Sequence, residues 1–170
     1  MTAKTKAKKS DYAAGDHVVY PTHGVGRVLG VETQEISGIT LDLIVIKFEK
    51  DRMTLRVPVE KAENSGLRKL STRKVMDSAL QTLKGRSRAK KTMWSRRAQE
   101  YEAKINSGDP VSIAEVVRDL HRGDDQPDQS YSERQMYQAA LERLARELGA
   151  LEHIDEAAAQ AKLEKALRAA

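Results

Sequence analysis

The hydrophobic residues of this chain change their spacing once, near residue 70, and that change limits the folds open to it. Before that point Val, Ile and Leu occur in short runs separated by turn-forming residues, as in antiparallel strands. After it, apolar residues recur every three or four positions, as on one face of a helix. We therefore expect an α+β chain, with a β-domain at residues 11–69 and an all-α domain at residues 70–170.

Four strand-like segments precede residue 70: His17–Tyr20, Gly26–Ile36, Thr40–Phe48 and Arg52–Val57. The turn signals between them lie at Pro21–Gly24, Ser37–Gly38 and Glu49–Asp51. The segment LDLIVIKF is continuously apolar from Leu43 to Ile46, which predicts a strand covered on both faces. Four or five short strands in this length predict a small antiparallel barrel of the Tudor-like or SH3-like kind.

About five helices are predicted after residue 70, joined by short polar connections. They run from Ser71 or Thr72 to Gly85, from Thr92 to Ile105, from Ser112 to Arg122, from Ser132 through Leu148, and from Asp155 to Leu167. Val75 is expected on the buried face of the first helix. Two helix starts are predicted from capping boxes, Ser112 with Glu115 and Ser132 with Gln135.

Positive charge is concentrated in one stretch of the chain. From Arg68 to Arg97 there are eleven Lys or Arg residues and one acid, Asp77, a balance of +10 in a chain whose net charge is +5. The asymmetry predicts a polyanionic partner for this stretch, whereas a solvated basic face without a partner is the alternative. Residues 1–10, MTAKTKAKKS, are polar and lysine-rich and are predicted to be a disordered basic tail.

The chain's single tryptophan, Trp94, lies inside the basic stretch. The cations around it are Arg88, Lys90, Lys91, Arg96 and Arg97. A flat apolar ring among cations suits a protein that presses on nucleic-acid bases while it holds the neighbouring phosphates. Trp94 also shares one helix face with Tyr101 and Ile105, so burial in a core is the competing interpretation.

Several functional classes are disfavoured by what the sequence lacks. It has no cysteine, and its four histidines are scattered, so neither a metal site nor a cofactor is expected. The segment Gly24–Gly26 lacks the third glycine of a phosphate-binding loop and is predicted to be a hairpin turn. No catalytic constellation is evident, and no run of about 18 apolar residues is present. We expect a cytoplasmic protein that is neither an enzyme nor membrane-bound.

Four segments carry a resemblance to a known family: GDHVVYPTHGVGRV, LDLIVIKF, MTLRVPVEKAENSGLR and MWSRRAQEYEAKINSGDPVSIAEVVRDLHR. Together they resemble the CarD/CdnL family of bacterial RNA polymerase-binding transcription regulators, over about residues 11 to 165. The first segment is also similar to the polymerase-binding module of transcription-repair coupling factors. Because the match continues into the helical domain, it favours a stand-alone CarD-like protein.

The resemblance implies two contacts and a mechanism. In this family the Tudor-like domain docks on the β subunit of RNA polymerase, and the helical domain contacts promoter DNA at the upstream edge of the −10 element. The family's tryptophan wedges into the minor groove where the duplex opens, and thereby stabilises the open complex. By this resemblance Trp94 is the wedge, and Arg96 and Arg97 are its phosphate or groove contacts.

The resemblance also points to residues on the polymerase-facing strands, namely Ile46, Arg56 and Pro58. Gln34 stands where some members have a basic residue, so a contact at that position is not carried over. The implied partners are the polymerase β subunit and promoter DNA, which would associate the protein with the nucleoid, and a monomer is expected. Two alternatives stay open: a general nucleic-acid-binding protein that acts without polymerase, and a protein-protein scaffold with a structural tryptophan.

Overall fold

The computed structural model describes residues 12–62, 64–89, 91–123 and 126–169. The predicted basic tail at residues 1–10 lies outside these ranges, as does Lys90. The chain divides into two compact units, Met1–Lys69 and Leu70–Ala170. Each unit has its own hydrophobic core, and the boundary lies where the hydrophobic period changes.

The first unit is a five-stranded antiparallel sheet. Its strands are β1 (His17–Tyr20), β2 (Gly24–Ile36), β3 (Ile39–Phe48), β4 (Met53–Pro58) and β5 (Arg68–Lys69), in the order β4-β3-β2-β1-β5. A single 3-10 turn, Val59–Lys61, follows β4. An antiparallel β-structure followed by helices confirms the predicted fold class.

Strand β3 forms the centre of the sheet's core, as its unbroken apolar run predicted. All four residues from Leu43 to Ile46 are buried. Ile44 and Ile46 pack in the main core cluster, and alternation along a strand places Leu43 and Val45 on the opposite face. The strand is therefore covered on both faces, and the prediction for LDLIVIKF is confirmed.

The predicted turn at Gly24–Gly26 is wrong in its position. The turn ends at His23, and Gly24 already begins β2, with a φ of 77° that favours glycine. Gly26 lies inside β2, where an added Cβ would stand 2.7 Å from Cγ2 of Ile46 and 2.8 Å from Cε1 of Phe48. Glycine is required there because two core side chains pack directly on the backbone.

The described part of the second unit contains five helices, as predicted. They are α1 (Arg73–Leu83), α2 (Trp94–Asn106), α3 (Pro110–Leu120), α4 (Tyr131–Glu152) and α5 (Glu156–Arg168). Their apolar faces meet in one core cluster that contains residues of every helix. On α1 the buried residues are Met76, Ala79 and Leu83, whereas Val75, predicted to be buried, is exposed. Among the described residues, none of these helices is both long and apolar enough to cross a membrane.

Helix α3 begins before its predicted capping box. Asp109 is the N-cap and accepts a hydrogen bond from the backbone N–H of Ser112, while Pro110 occupies the first helical position. Proline suits that position because its missing N–H would have no partner there. Glu115, predicted to complete the box, instead pairs with Lys104 of α2 at 2.7 Å. The predicted Ser112–Glu115 start is therefore wrong.

Helix α4 also begins earlier than predicted. Ser130 is the N-cap, and its Oγ accepts a hydrogen bond from the backbone N–H of Glu133 at 3.3 Å. Its side chain also bonds Oε1 of Glu133. The predicted pair, Ser132 with Gln135, has the same spacing two residues later and does not start the helix.

One carboxylate links three helices of the second unit. Oε1 of Glu152, at the end of α4, accepts a hydrogen bond from Nζ of Lys162 on α5 at 2.9 Å. Nη1 of Arg73 on α1 lies 3.1 Å from the same oxygen. The hydrogen bond from Lys162 is the main reason that the pKa of Glu152 lies below its ordinary value. The charge network thus holds α1 and α5 against the end of α4.

Candidate functional site

Trp94 is the first residue of α2 and lies at the edge of the helical core. The helix is anchored by its buried residues Tyr101 and Ile105. The indole ring packs against that core but is only partly buried, with its centroid 6.2 Å from the Tyr101 ring and the two planes tilted by 49°. Part of the ring is thus supported by the core and part faces solvent.

Arg97 holds a guanidinium beside both aromatic rings. Its Cζ lies 5.6 Å from the ring centroid of Trp94 and 5.7 Å from that of Tyr101, which are cation–π distances. Nη2 donates a hydrogen bond to the Tyr101 hydroxyl at 3.3 Å. Nε is buried and has no hydrogen-bond partner in the part of the chain that the structure describes. Arg97 therefore braces the tryptophan ring from one turn along the helix.

A buried carboxylate fixes the basic segment that leads into α2. Asp119 of α3 accepts hydrogen bonds from the backbone N–H of Arg88 and from Nε of Arg118, both at 2.9 Å. The hydroxyl of Ser87 lies 3.4 Å from the carbonyl oxygen of the same aspartate. Because these contacts use the backbone of Arg88, its side chain stays exposed.

Asp119 was not identified from the sequence. The available signal was an acid beside the apolar residues Val116 and Leu120 on α3, where a solvated position would be expected. Two of its partners, Ser87 and Arg88, lie about thirty residues upstream, and no local pattern relates them to Asp119.

The cations around Trp94 fall into two groups. Arg86, Arg88, Lys91 and Arg96 are exposed, and among the described residues they form no ion pair. Arg97 is instead engaged with the rings, and Lys90 lies outside the described residues. A groove of about 350 Å³ borders this surface, lined by Arg88, Ala89, Arg97, Glu100, Tyr101, Ala103, Lys104 and Asp119. Exposed cations without acidic partners are suited to phosphates.

The outer face of the sheet in the first unit carries two of the other predicted site residues, Arg56 and Pro58. Arg56 on β4 lies opposite Val45, and Pro58 lies opposite Leu43, which is itself opposite Glu32 on β2. Directly opposed residues point to the same face of a sheet. Arg56, Pro58 and Glu32 therefore share one face, above the buried side chains of Leu43 and Val45.

Arg56 is paired within this face. Its Nε lies 3.3 Å from Oε2 of Glu32, and both side chains are about half exposed, at 47% each. Gln34 donates to the same carboxylate oxygen at 3.3 Å. Glu32 is therefore the centre of a small polar group that includes Arg56 and Gln34.

Ile46 corrects the predicted set of contact residues. Its side chain is 0% exposed and packs in the sheet core, opposite Val28 and Leu55. A fully buried side chain cannot touch a partner unless the sheet opens. The error arose because a continuous apolar run does not show which residues face outward, and the register places Ile46 inward.

The structure shows no constellation of metal ligands in the described ranges, since no group of three or more His, Asp or Glu side chains is placed to hold an ion. The ring of His23 stacks on Tyr20 at 5.6 Å and lies 5.4 Å from Phe48. Its Nδ1 is 3.9 Å from a carboxylate oxygen of Asp51. These contacts stabilise the turn that precedes β2.

Comparison with known proteins gives a consistent result for both units. Residues 12–71 match the family described as "CarD-like/TRCF RID domain", and residues 78–164 match "CarD, C-terminal domain". YdeB of Bacillus subtilis (strain 168), which carries the name of a candidate transcription factor, is 28% identical over 145 residues. That similarity covers 85% of this chain and 95% of YdeB, so it spans both units.

Three further similarities each cover about a third of this chain. The transcription-repair-coupling factor of B. subtilis is 43% identical over 54 residues, and that of Staphylococcus haemolyticus (strain JCSC1435) is 43% identical over 53 residues. These matches cover 32% and 31% of this chain but only 4% of each factor. The solution NMR structure of the 72-residue N-terminal domain of Myxococcus xanthus CarD is 38% identical, covering 34% of this chain and 77% of that domain with a TM-score of 0.30.

Proposed function

We infer the function from the fact that this chain belongs to the CarD family of transcription factors, whose two domain descriptions match residues 12–71 and 78–164. Its first unit is an RNA polymerase-interacting domain of the class shared with transcription-repair coupling factors. We propose that this unit binds the polymerase β subunit, and that the helical unit stabilises the open promoter complex by inserting Trp94 at the upstream edge of the −10 element.

The polymerase contact is assigned to the outer face of the sheet. Arg56 and Pro58 are accessible there, above a buried apolar layer that keeps the strands in register. A carboxylate of the partner can take the place of Glu32 beside Arg56, so binding exchanges one ion pair for another. Ile46 supports this face from behind and makes no contact itself.

The DNA contact is assigned to the start of α2. Unstacking a base step costs a few kcal/mol, and an inserted apolar ring offsets part of that cost where the duplex is already opening. Trp94 can insert because part of the ring is exposed, and it can do so in a fixed orientation because Arg97 and Tyr101 hold the other part. Differential binding of about 1.4 kcal/mol shifts the opening equilibrium tenfold.

The phosphate contacts are assigned to Arg88, Lys91 and Arg96, together with Lys90. Those of the four that the structure describes are exposed and lack ion-pair partners among the described residues, so a phosphate does not have to displace a carboxylate. Arg97 has a different task in this proposal, since its guanidinium lies beside the rings of Trp94 and Tyr101. Polymerase binding then supplies the local concentration that makes a weak DNA contact sufficient.

One observation carries the proposal: a partly exposed tryptophan at the first turn of α2, near exposed cations that form no ion pair with any described residue. It favours DNA contact over a purely structural ring. Truncating a wholly buried indole costs about 3–5 kcal/mol of folding stability, and truncating a partly buried one such as Trp94 should cost less.

The test is Trp94→Ala in the full chain, with Trp94→Phe as the conservative control. We expect the lifetime of the open complex, measured by competitor challenge, to fall about tenfold for Trp94→Ala, because about 1.4 kcal/mol of differential binding is lost. Trp94→Phe should retain most of the lifetime, and both variants should bind polymerase as the parent protein does. An unchanged lifetime on several promoters would refute the wedge.

A pull-down of polymerase from lysate, with and without nuclease, separates this proposal from a general nucleic-acid-binding protein. Capture that survives nuclease treatment supports a direct polymerase contact. Capture that disappears with the nucleic acid favours the general binder.

A further inference from the structure

Met93 is an exposed methionine at the start of α2, a position where a polar residue is usually found. Its side chain is 74% exposed, directly before the partly buried Trp94. It occupies the N-cap of α2, a position that favours Ser, Thr, Asp or Asn because their oxygens accept a backbone N–H.

The other four helices of the unit follow that preference. Their N-caps are Thr72, Asp109, Ser130 and Asp155, and each side chain accepts a hydrogen bond from a backbone N–H of the first turn. At α2 no side chain makes a capping bond, although Thr92 stands next to the capping position. The start of α2 thus lacks a stabilising contact that the rest of the fold uses consistently.

Packing does not account for Met93. A methionine often fills an irregular gap in a core, but Met93 is absent from the residues that pack against the helical core cluster. A single exposed apolar residue is common on protein surfaces, so exposure alone has no meaning. The informative feature is the place of Met93: an apolar side chain stands where a polar cap is expected. It lies next to the ring of Trp94 in the sequence and between the exposed cations Lys91 and Arg96.

We propose that Met93 is a second insertion residue, which enters the minor groove of opening DNA next to Trp94. This inference rests on the proposed function of Trp94. Methionine is one of the apolar side chains that minor-groove proteins insert between base steps. DNA is the occupant favoured by the charge, since Lys91 and Arg96 flank the apolar pair and the stretch from Arg68 to Arg97 carries a balance of +10.

The proposal predicts that stability and activity change in opposite directions. Met93→Ser supplies the missing cap, so the melting temperature of the full chain should rise. The same change removes the inserted apolar group, so the open-complex lifetime should fall about fivefold. Met93→Leu, which keeps an apolar side chain, should retain the lifetime.

The matched control is Tyr131→Ser, which truncates an equally exposed apolar residue, 76% exposed, in the first turn of α4. It should leave the open-complex lifetime unchanged. Trp94→Ala is measured in the same assay. If Trp94→Ala shortens the lifetime and Met93→Ser does not, the role of Met93 is refuted while the wedge survives.

If neither variant changes the lifetime, the proposed function itself fails, and the role of Met93 fails with it. If Met93→Ser lowers both the lifetime and the melting temperature, damage to the helix start explains the result and the inference is overturned. An equal loss of lifetime in Tyr131→Ser also overturns it.

Discussion

The cations proposed to bind partners have opposite surroundings in the two units. On the sheet, Arg56 is already paired with Glu32 at 3.3 Å. At the start of α2, Arg88, Lys91 and Arg96 have no acidic partner among the residues described. A paired cation discriminates between partners, because only a group of matching geometry can replace the internal carboxylate. Unpaired cations accept any polyanion and depend strongly on salt.

The apolar residues near these two groups of cations also differ, in how deeply they are buried. Leu43 and Val45 lie under the polar group of the sheet and are buried. Trp94 and Met93 stand at the surface of the helical unit instead. Around Arg56 and Glu32 the sheet therefore presents polar groups over a buried apolar layer, whereas the start of α2 presents apolar groups that can enter another molecule.

The largest expected effect tests whether Ile46 belongs to the core or to the contact face. Ile46→Ala should cost about 2–5 kcal/mol of folding stability, because it leaves a cavity in the sheet core. Val31→Ala, on the exposed part of β2, should cost much less. Chemical denaturation of the full-length variants measures both changes. Loss of polymerase affinity with unchanged stability would show that Ile46 is a contact residue after all.

The second prediction concerns the ion pair between Arg56 and Glu32 on the sheet. Arg56→Glu places a second carboxylate beside Glu32, so polymerase affinity should fall about thirtyfold, in the range measured for truncated interfacial charges. Arg52→Glu, an equal charge change in the turn before β4, is the control and should have little effect. Direct binding to purified polymerase measures both, and binding to DNA alone should be unchanged. Equal losses in the two variants would mean that net charge, and not this face, matters.

The smallest effect separates the two arginines that follow Trp94. Arg96→Gln should lower the slope of log K against log salt by about one, because one phosphate contact is lost. Arg97→Gln should leave that slope nearly unchanged but shift the Trp94 emission, because the ring loses its brace. DNA-binding titrations at several salt concentrations give the slopes. A reduced slope in Arg97→Gln would show that this guanidinium also reaches a phosphate.

The secondary structure could be predicted well because it depends on local periodicity. The four strands before residue 60 and the five helices are found within a few residues of their expected positions. β5 was not located, since a two-residue strand at Arg68–Lys69 has no period and pairs with β1 about fifty residues upstream. Helix starts failed at α3 and α4 because the capping-box spacing recurs by chance, and Pro110 and Ser130 decide the actual starts.

The candidate site could be predicted only in part, for physical reasons of the same kind. The tryptophan, the cations and the helix that carries them are local features of the sequence. Asp119 and its bond to the backbone of Arg88 join two elements that only the tertiary fold brings together. The role of Arg97 was equally hidden, because a cation beside two aromatic residues can point to solvent or to the rings. Only the structure shows that Ile46 is buried while Arg56 is exposed.

The buried Asp119 has a consequence for the thermodynamics of association. Ordering a flexible residue costs about 1–2 kcal/mol of conformational entropy, and a mobile basic segment would incur that cost each time it met DNA. Because Asp119 already fixes the backbone at Arg88, this loss is incurred once, during folding. If this segment binds DNA as proposed, Arg88 would therefore meet it in a preorganised position, and a larger share of the attraction would remain as net affinity.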